Sequence, residues 1–258
     1  MKSAKQTIHP GPRELWLAGI KLHSDMELQA VIFDCDGILV DTEPLHYRAF
    51  QKVLVPFGLG HDFSHYLKHF VGFDDRDAFI HAFEEAGIEL GAATLERLVE
   101  AKSAVLRELI EQGVPSFPGV VELVRELMDR GIPMAVASGA LRHEVEAFIA
   151  SLGIQKAFRA IVAADDVKKS KPDPETYLLA IDRLGLARGA QEPLNCVAVE
   201  DTPAGISSAK SAALLVIAVT NSFSENELRE ADKIVRSLSD LSFPDIVDML
   251  RQRRLVQQ

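Results

Sequence analysis

Short, unbroken apolar runs recur along the chain at 30–33 (Ala-Val-Ile-Phe), 133–137, 160–163, 196–199 and 215–219. A strand with one wet face alternates apolar and polar residues. A strand buried on both faces does not, and such strands belong to parallel sheets covered by helices on each side. Between the later runs, amphipathic spacing predicts helices over 141–152, 174–184 and 203–213. Strand–helix alternation of this kind builds crossover units, so the expected class is α/β, a doubly wound parallel sheet with a Rossmann-like core.

The stretch from residue 34 to residue 132 is far longer than one crossover needs. Much of it reads as helix; over 95–110 apolar residues recur at i, i+3 and i+4. The expected organisation is a core of residues 27–45 and 114–258, with an all-helical cap inserted as residues 46–113. Hinges are expected at 37–45 and at 113–119, where Gly113, Pro115, Pro118 and Gly119 fall. Residues 1–26 read as a loosely ordered extension, because their only apolar stretch, 15–20, is too short for a secretory core.

Charge narrows the partners. Lys and Arg number 28 against 38 Asp and Glu, a net charge of −10, which opposes nucleic acid or an anionic membrane as the main partner. No run of apolar residues is long enough to span a bilayer. Cys35 and Cys196 make neither a disulfide framework nor a zinc pattern, so a reducing, cytoplasmic setting is expected. A monomer is the default.

Function should lie where the strands end, since doubly wound sheets bind ligands there. The first run leads into Asp34-Cys35-Asp36-Gly37-Ile38-Leu39-Val40-Asp41-Thr42 and the second into Ser138-Gly139. Lys171, before Pro172, follows the third; the fourth leads into Glu200-Asp201-Thr202-Pro203. Each fragment alone is an ordinary turn or helix cap. Together they bring chemistry to one sheet edge. Two carboxylates two residues apart after a buried strand are costly unless a cation or a shared proton compensates. Cys35 should point away from both by alternation, as a small buried residue.

These four fragments, in this order, resemble the haloacid dehalogenase superfamily of phosphatases. The helical insert after the first of them resembles the small-cap group that holds β-phosphoglucomutase and the phosphoglycolate and sugar phosphatases. The likeness runs over about residues 28–240. It implies Asp34 as nucleophile and Asp36 as acid and base. It also implies phosphate binding by Ser138, Gly139 and Lys171, and a Mg²⁺ site made by Asp34, the backbone carbonyl of Asp36, Asp201 and Glu200, the last directly or through water. Oxygen-only ligands beside a phosphate suit that ion. A chloride-releasing dehalogenase would not need Glu200 and Asp201.

His46 and the loop 71–77, with Arg76, are the expected cap contacts to substrate. Arg76 stands one place from where the mutase branch carries its arginine, and Asp75 takes that place. His61, His65 and His69, spaced four apart, read as a solvated or capping helix face. The expected function is thus a Mg²⁺-dependent phosphatase acting on a small phosphorylated sugar or acid through an aspartyl-phosphate. A phosphomutase of the β-phosphoglucomutase kind is the alternative. From another class, a phospho-accepting signalling receiver also carries an Asp, an acidic pair and a Lys, but receivers are much shorter and lack the insert.

Overall fold

The computed structural model describes residues 28–70, 73, 75–186 and 195–257. The extension expected over 1–26, and Val71, Gly72 and Asp74 of the loop expected to contact substrate, lie outside the described residues.

Strands β1 (Ala30–Phe33), β2 (Met134–Ala137), β3 (Phe158–Val162), β4 (Cys196–Glu200), β5 (Leu215–Val219) and β6 (Lys233–Val235) form one sheet in the order β3-β2-β1-β4-β5-β6. All its pairings are parallel. The order reverses at β1, so the crevice outside the carboxyl ends of β1 and β4 is the place where such a sheet binds ligands. β6 was not foreseen: a three-residue edge strand opening on a lysine carries no continuous apolar run.

The core helices, in chain order with those of the insert, are α5 (Val120–Asp129), α6 (Arg142–Ser151), α7 (Glu175–Arg183), α8 (Pro203–Ser211) and α9 (Phe243–Gln257). Alternation along each strand sorts the two faces by size. Ala30, Ala135, Ala137, Cys196, Ala198 and Ala218 line the face under α7 and α8, with Tyr177, Ile181 and Ile206 filling the space above them. The opposite face presents Phe33, Met134, Val136, Val199 and Ile217 to α5, α6 and α9.

Between β1 and α5 stand α1 (Glu43–Leu54), α2 (Phe63–His69), α3 (Asp75–Glu85) and α4 (Ala92–Glu111). They bury an apolar cluster of their own, in which Phe50, Leu54, Tyr66, Phe70, Phe79, Phe83 and Leu98 meet. The start of α1 and the end of α4 instead feed the main core through Leu45, Ala49, Leu109 and Ile110. The Asp41 N–H donates to the Pro115 carbonyl at 2.9 Å, tying the two crossings together. No described helix is long and apolar enough to cross a membrane.

Candidate active site

β1 hands its last ladder bond to the first functional residue: the Asp34 N–H donates to the Val199 carbonyl at 2.9 Å. The chain then turns tightly. The Cys35 carbonyl accepts from the N–H groups of Leu39 (2.7 Å) and Val40 (3.1 Å), and Gly37 takes φ 78°, a conformation that favours glycine. A Cβ at Gly37 would overlap the Asp201 carboxylate, so this turn and the end of β4 touch. Cys35 is fully buried in the main core, and burial pushes its thiol well up.

Four side chains meet at this edge. The Lys171 ammonium donates to Asp34 Oδ1 at 2.8 Å and to Glu200 Oε1 at 2.6 Å, and lies 5.1 Å from the Tyr177 ring centre. Glu200 is fully buried, and both its oxygens are occupied. Oε1 also accepts from the Tyr177 hydroxyl at 2.7 Å; Oε2 accepts from the Asp201 N–H at 3.1 Å and the Thr202 hydroxyl at 3.2 Å. Asp201 Oδ2 accepts from the Ser222 hydroxyl, while its Oδ1 is buried with no hydrogen-bond partner among the described residues. Asp34, Glu200 and Asp201 each offer an oxygen within 4.8 Å of the others, the one such metal-ligating group among the described residues.

One lysine faces three carboxylates. A like-charged pair 4 Å apart costs about 4 kcal/mol at an effective dielectric near 20, so the cluster resists full ionisation. Burial pushes the Asp34 carboxyl well up despite Lys171, with Glu200 and Asp201 adding to the rise. Asp201 is driven up to about 7, again first by burial. Burial alone would lower Lys171, but Asp34 and Glu200 outweigh it and hold the ammonium above the ordinary lysine value. Burial also raises Asp36, against the Thr42 hydroxyl that donates to its Oδ1 at 3.0 Å.

Ser138 continues the sheet edge: its N–H donates to the Val162 carbonyl at 2.9 Å, its side chain is 1% exposed, and its Oγ accepts from the Ala140 N–H at 3.0 Å. Gly139 beside it is exposed. The acidic pair after β3 has structural work. Asp166 is gripped by Arg142 and by Arg183 (2.8 and 3.0 Å), and the Arg183 bonds hold its carboxyl well below the usual range.

At the end of β4, Thr202 caps α8 by accepting from the Gly205 N–H at 3.0 Å. A Cβ at Gly205 would overlap the Glu200 carboxylate. Gly205→Ala gains about 1 kcal/mol of helix propensity. The overlap with a carboxylate pinned by five donors should exceed that, giving a net loss of about 2–3 kcal/mol. The variant's urea midpoint should fall, and an unchanged midpoint would show that Glu200 is free to move.

In the helical insert, His46 Nδ1 lies 2.9 Å from the Lys102 ammonium, which also donates to Asp75 Oδ1 at 2.5 Å. Lys102 is 1% exposed and sits 4.8 Å from the Phe50 ring centre. Burial and then Lys102 lower His46 to about 4, so the imidazole is neutral at physiological pH and can accept from the ammonium. Arg76 pairs with Glu96 of α4, both half-exposed. Among the histidines, the rings of His65 and His69 stack 4.5 Å apart, His65 meets Glu85 at 3.4 Å, and His61 bonds Gln51.

Lys102, Tyr177, Asn221 and Ser222 escaped the sequence reading. Lys102 left a signal, a lysine on the apolar stripe Leu98–Val105–Leu109. Asn221 and Ser222 follow the fifth apolar run, at the edge where the other four runs already pointed.

The description "haloacid dehalogenase-like hydrolase" fits residues 31–219 of this chain. The fructose-1-phosphate phosphatase YqaB of Escherichia coli (strain K12) is 35% identical over 186 residues, 71% of this chain and 92% of the relative. A phosphorylated carbohydrates phosphatase of Thermotoga maritima is 32% identical, over 72% of this chain and 82% of its own length. A crystal structure of β-phosphoglucomutase from Clostridium difficile superposes with a TM-score of 0.68 at 24% identity, covering 89% of this chain and all of the other, and shares the fold.

Proposed function

The chain belongs to the haloacid dehalogenase-like hydrolases, and on that premise we propose that it is a Mg²⁺-dependent phosphatase. Its substrate would be a small phosphorylated metabolite, a sugar phosphate or a phosphoglycolate-like acid. The observation that carries this reading is Asp34, held by Lys171 at the switch point of the sheet, with Asp36 two residues further on.

In the first half-reaction the Asp34 carboxylate attacks phosphorus, forming an O–P bond as the ester P–O bond breaks. Asp36 gives its proton to the departing alkoxide. Burial holds that proton on Asp36 to higher pH than an ordinary carboxyl would, which suits an acid. In the second half Asp36 takes a proton from water as the water attacks phosphorus, freeing Asp34 and inorganic phosphate. Lys171 keeps the nucleophile oriented and offsets phosphate charge, and Ser138 with Gly139 would receive the phosphoryl oxygens.

The residues fit Mg²⁺. The donor set is all oxygen, and Asp201 Oδ1 is a buried acceptor that nothing among the described residues satisfies. Asp34, Asp201 and the Asp36 carbonyl would hold the ion, and the full occupancy of Glu200 favours its acting through water. When bound, the ion supplies positive charge against the phosphate dianion.

Residues 46–113 would act as the cap, with the tied crossings at 37–45 and 113–119 as hinges, and His46 and Arg76 as contacts to substrate. A phosphomutase must hold a second phosphate while the intermediate turns around. Two observations favour hydrolysis: Lys102 is already paired with Asp75, and Arg76 with Glu96. The two sequence relatives named above are phosphatases of phosphorylated sugars or carbohydrates. With β-glucose 1-phosphate, a trace of the 1,6-bisphosphate and Mg²⁺, glucose 6-phosphate should form more slowly than phosphate leaves the best substrate of a sugar-phosphate screen. The reverse ranking would establish the mutase.

A further inference from the structure

The loop after β5 reaches back across the sheet edge with two consecutive side chains. Asn221 Nδ2 donates to the Gly37 carbonyl at 2.6 Å, and the Ser222 hydroxyl donates to Asp201 Oδ2. β5 lies beside β4 and β4 beside β1, so one loop grips the turn that follows the nucleophile and the carboxylate at the end of the neighbouring strand. Neither residue takes part in the chemistry proposed above.

We propose that Asn221 and Ser222 are positioning residues that make Asp201 a one-oxygen metal ligand. The claim rests on the Mg²⁺ reading. Rotation of a carboxylate about its last torsion is soft, so an unrestrained Asp201 could present either oxygen or both. Here Oδ2 is closed off twice, by the Ser222 hydroxyl and by Gly37, whose α-carbon leaves no room for so much as a methyl group beside it. Asn221 holds Gly37 in that position through its carbonyl. What remains is Oδ1, buried and without a hydrogen-bond partner among the described residues. Ordering the ligand before the ion arrives removes a reorganisation cost from binding, and outer partners of this kind commonly change metal affinity.

The test is direct binding of Mg²⁺, by calorimetry, to the full-length protein stripped with EDTA and then freed of chelator. Ser222 is exposed and lies in a loop, so its variants should fold. S222A should bind Mg²⁺ about tenfold more weakly than the wild type, and N221A weaker by a smaller factor. S222T keeps the hydroxyl and should return to within about threefold. At saturating Mg²⁺ the KM for substrate should not move, because neither residue meets the substrate. Equal Mg²⁺ affinity in S222A and wild type would overturn the proposal and leave the metal reading standing. So would equal weakening in S222A and S222T, since the hydroxyl would then not be the agent. A wild-type protein that takes up no Mg²⁺ would overturn both.

Discussion

Asp34→Asn should lower turnover by at least about 10⁴-fold on the best substrate, since the amide cannot form the covalent intermediate. It should also make the metal-free protein more stable at neutral pH. In the wild type, burial raises the Asp34 carboxyl well above its ordinary value, with Glu200 and Asp201 adding to the rise. A carboxyl raised on folding is held more tightly protonated in the folded state. The stability it lends at low pH is therefore lost as pH climbs from its unfolded value, about 3.9, through the folded one. The amide keeps the shape and never ionises. It forgoes the charge pairing with Lys171, although its amide oxygen can still accept at that place, and the ammonium retains Glu200 at 2.6 Å. At this chain length ~1 kcal/mol corresponds to a shift of about 2–4 °C in Tm. Melting in EDTA at neutral pH should show the variant higher, with the gap closing as pH falls toward 4 and the wild-type carboxyl protonates. A variant that melts lower at neutral pH would mean that the Lys171 pairing outweighs the cost of burial. Wild-type turnover would remove Asp34 as nucleophile.

What the sequence made legible follows from how locally each feature is encoded. The strands β1, β2, β4 and β5 are buried on both faces, so each reads as an unbroken apolar run without reference to anything distant. Asp34, Ser138, Lys171, Glu200 and Asp201 were legible for a related reason. Once the runs are known to be parallel strands, the residues just beyond them must share an edge. Lys171 and Asp34, 137 positions apart, meet at 2.8 Å for no other reason. The cap was harder. Its cluster is assembled from four helices joined by polar loops, so spacing revealed helices but not which side chains look toward the core. Arg76 illustrates the limit. At an exposed helix start it pairs with Glu96, a residue 20 positions further on that no local pattern ties to it. Lys102 is the converse: lysines usually lie on a solvated face, yet its place on the apolar stripe of α4 buries it against Phe50, His46 and Asp75. The clasp by Asn221 on a carbonyl 184 positions away depends on backbone positions that no local pattern records.

Lys171→Met should cost more stability than any other single change at the site, and it should lower the rate as well. In the wild type its ammonium serves two carboxylates and lies over the Tyr177 ring, with its side chain 13% exposed. Its raised pKa means that its stabilisation is fully present below the ordinary lysine value, about 10.4, and fades only as pH rises through the higher folded value. At neutral pH the variant therefore loses the whole contribution. Methionine fills similar volume, so the loss is electrostatic: Asp34 and Glu200 are left buried beside Asp201 with no cation. Breaking a buried pair by removing one partner typically costs about 3–5 kcal/mol, which is a large fraction of a domain's total stability. Turnover should drop by about 10³-fold or more, because the nucleophile loses its orientation and the phosphate a neighbouring charge. Two conditions should restore part of the stability. Lowering the pH protonates the orphaned acids, so the deficit in EDTA should shrink as pH falls. Adding Mg²⁺ places a cation among the same oxygens and stabilises only the folded state, so the rise in Tm should exceed that of the wild type. A variant as stable as wild type in EDTA at neutral pH would show that the three carboxylates share protons well enough to dispense with the lysine. Its role would then be confined to the reaction.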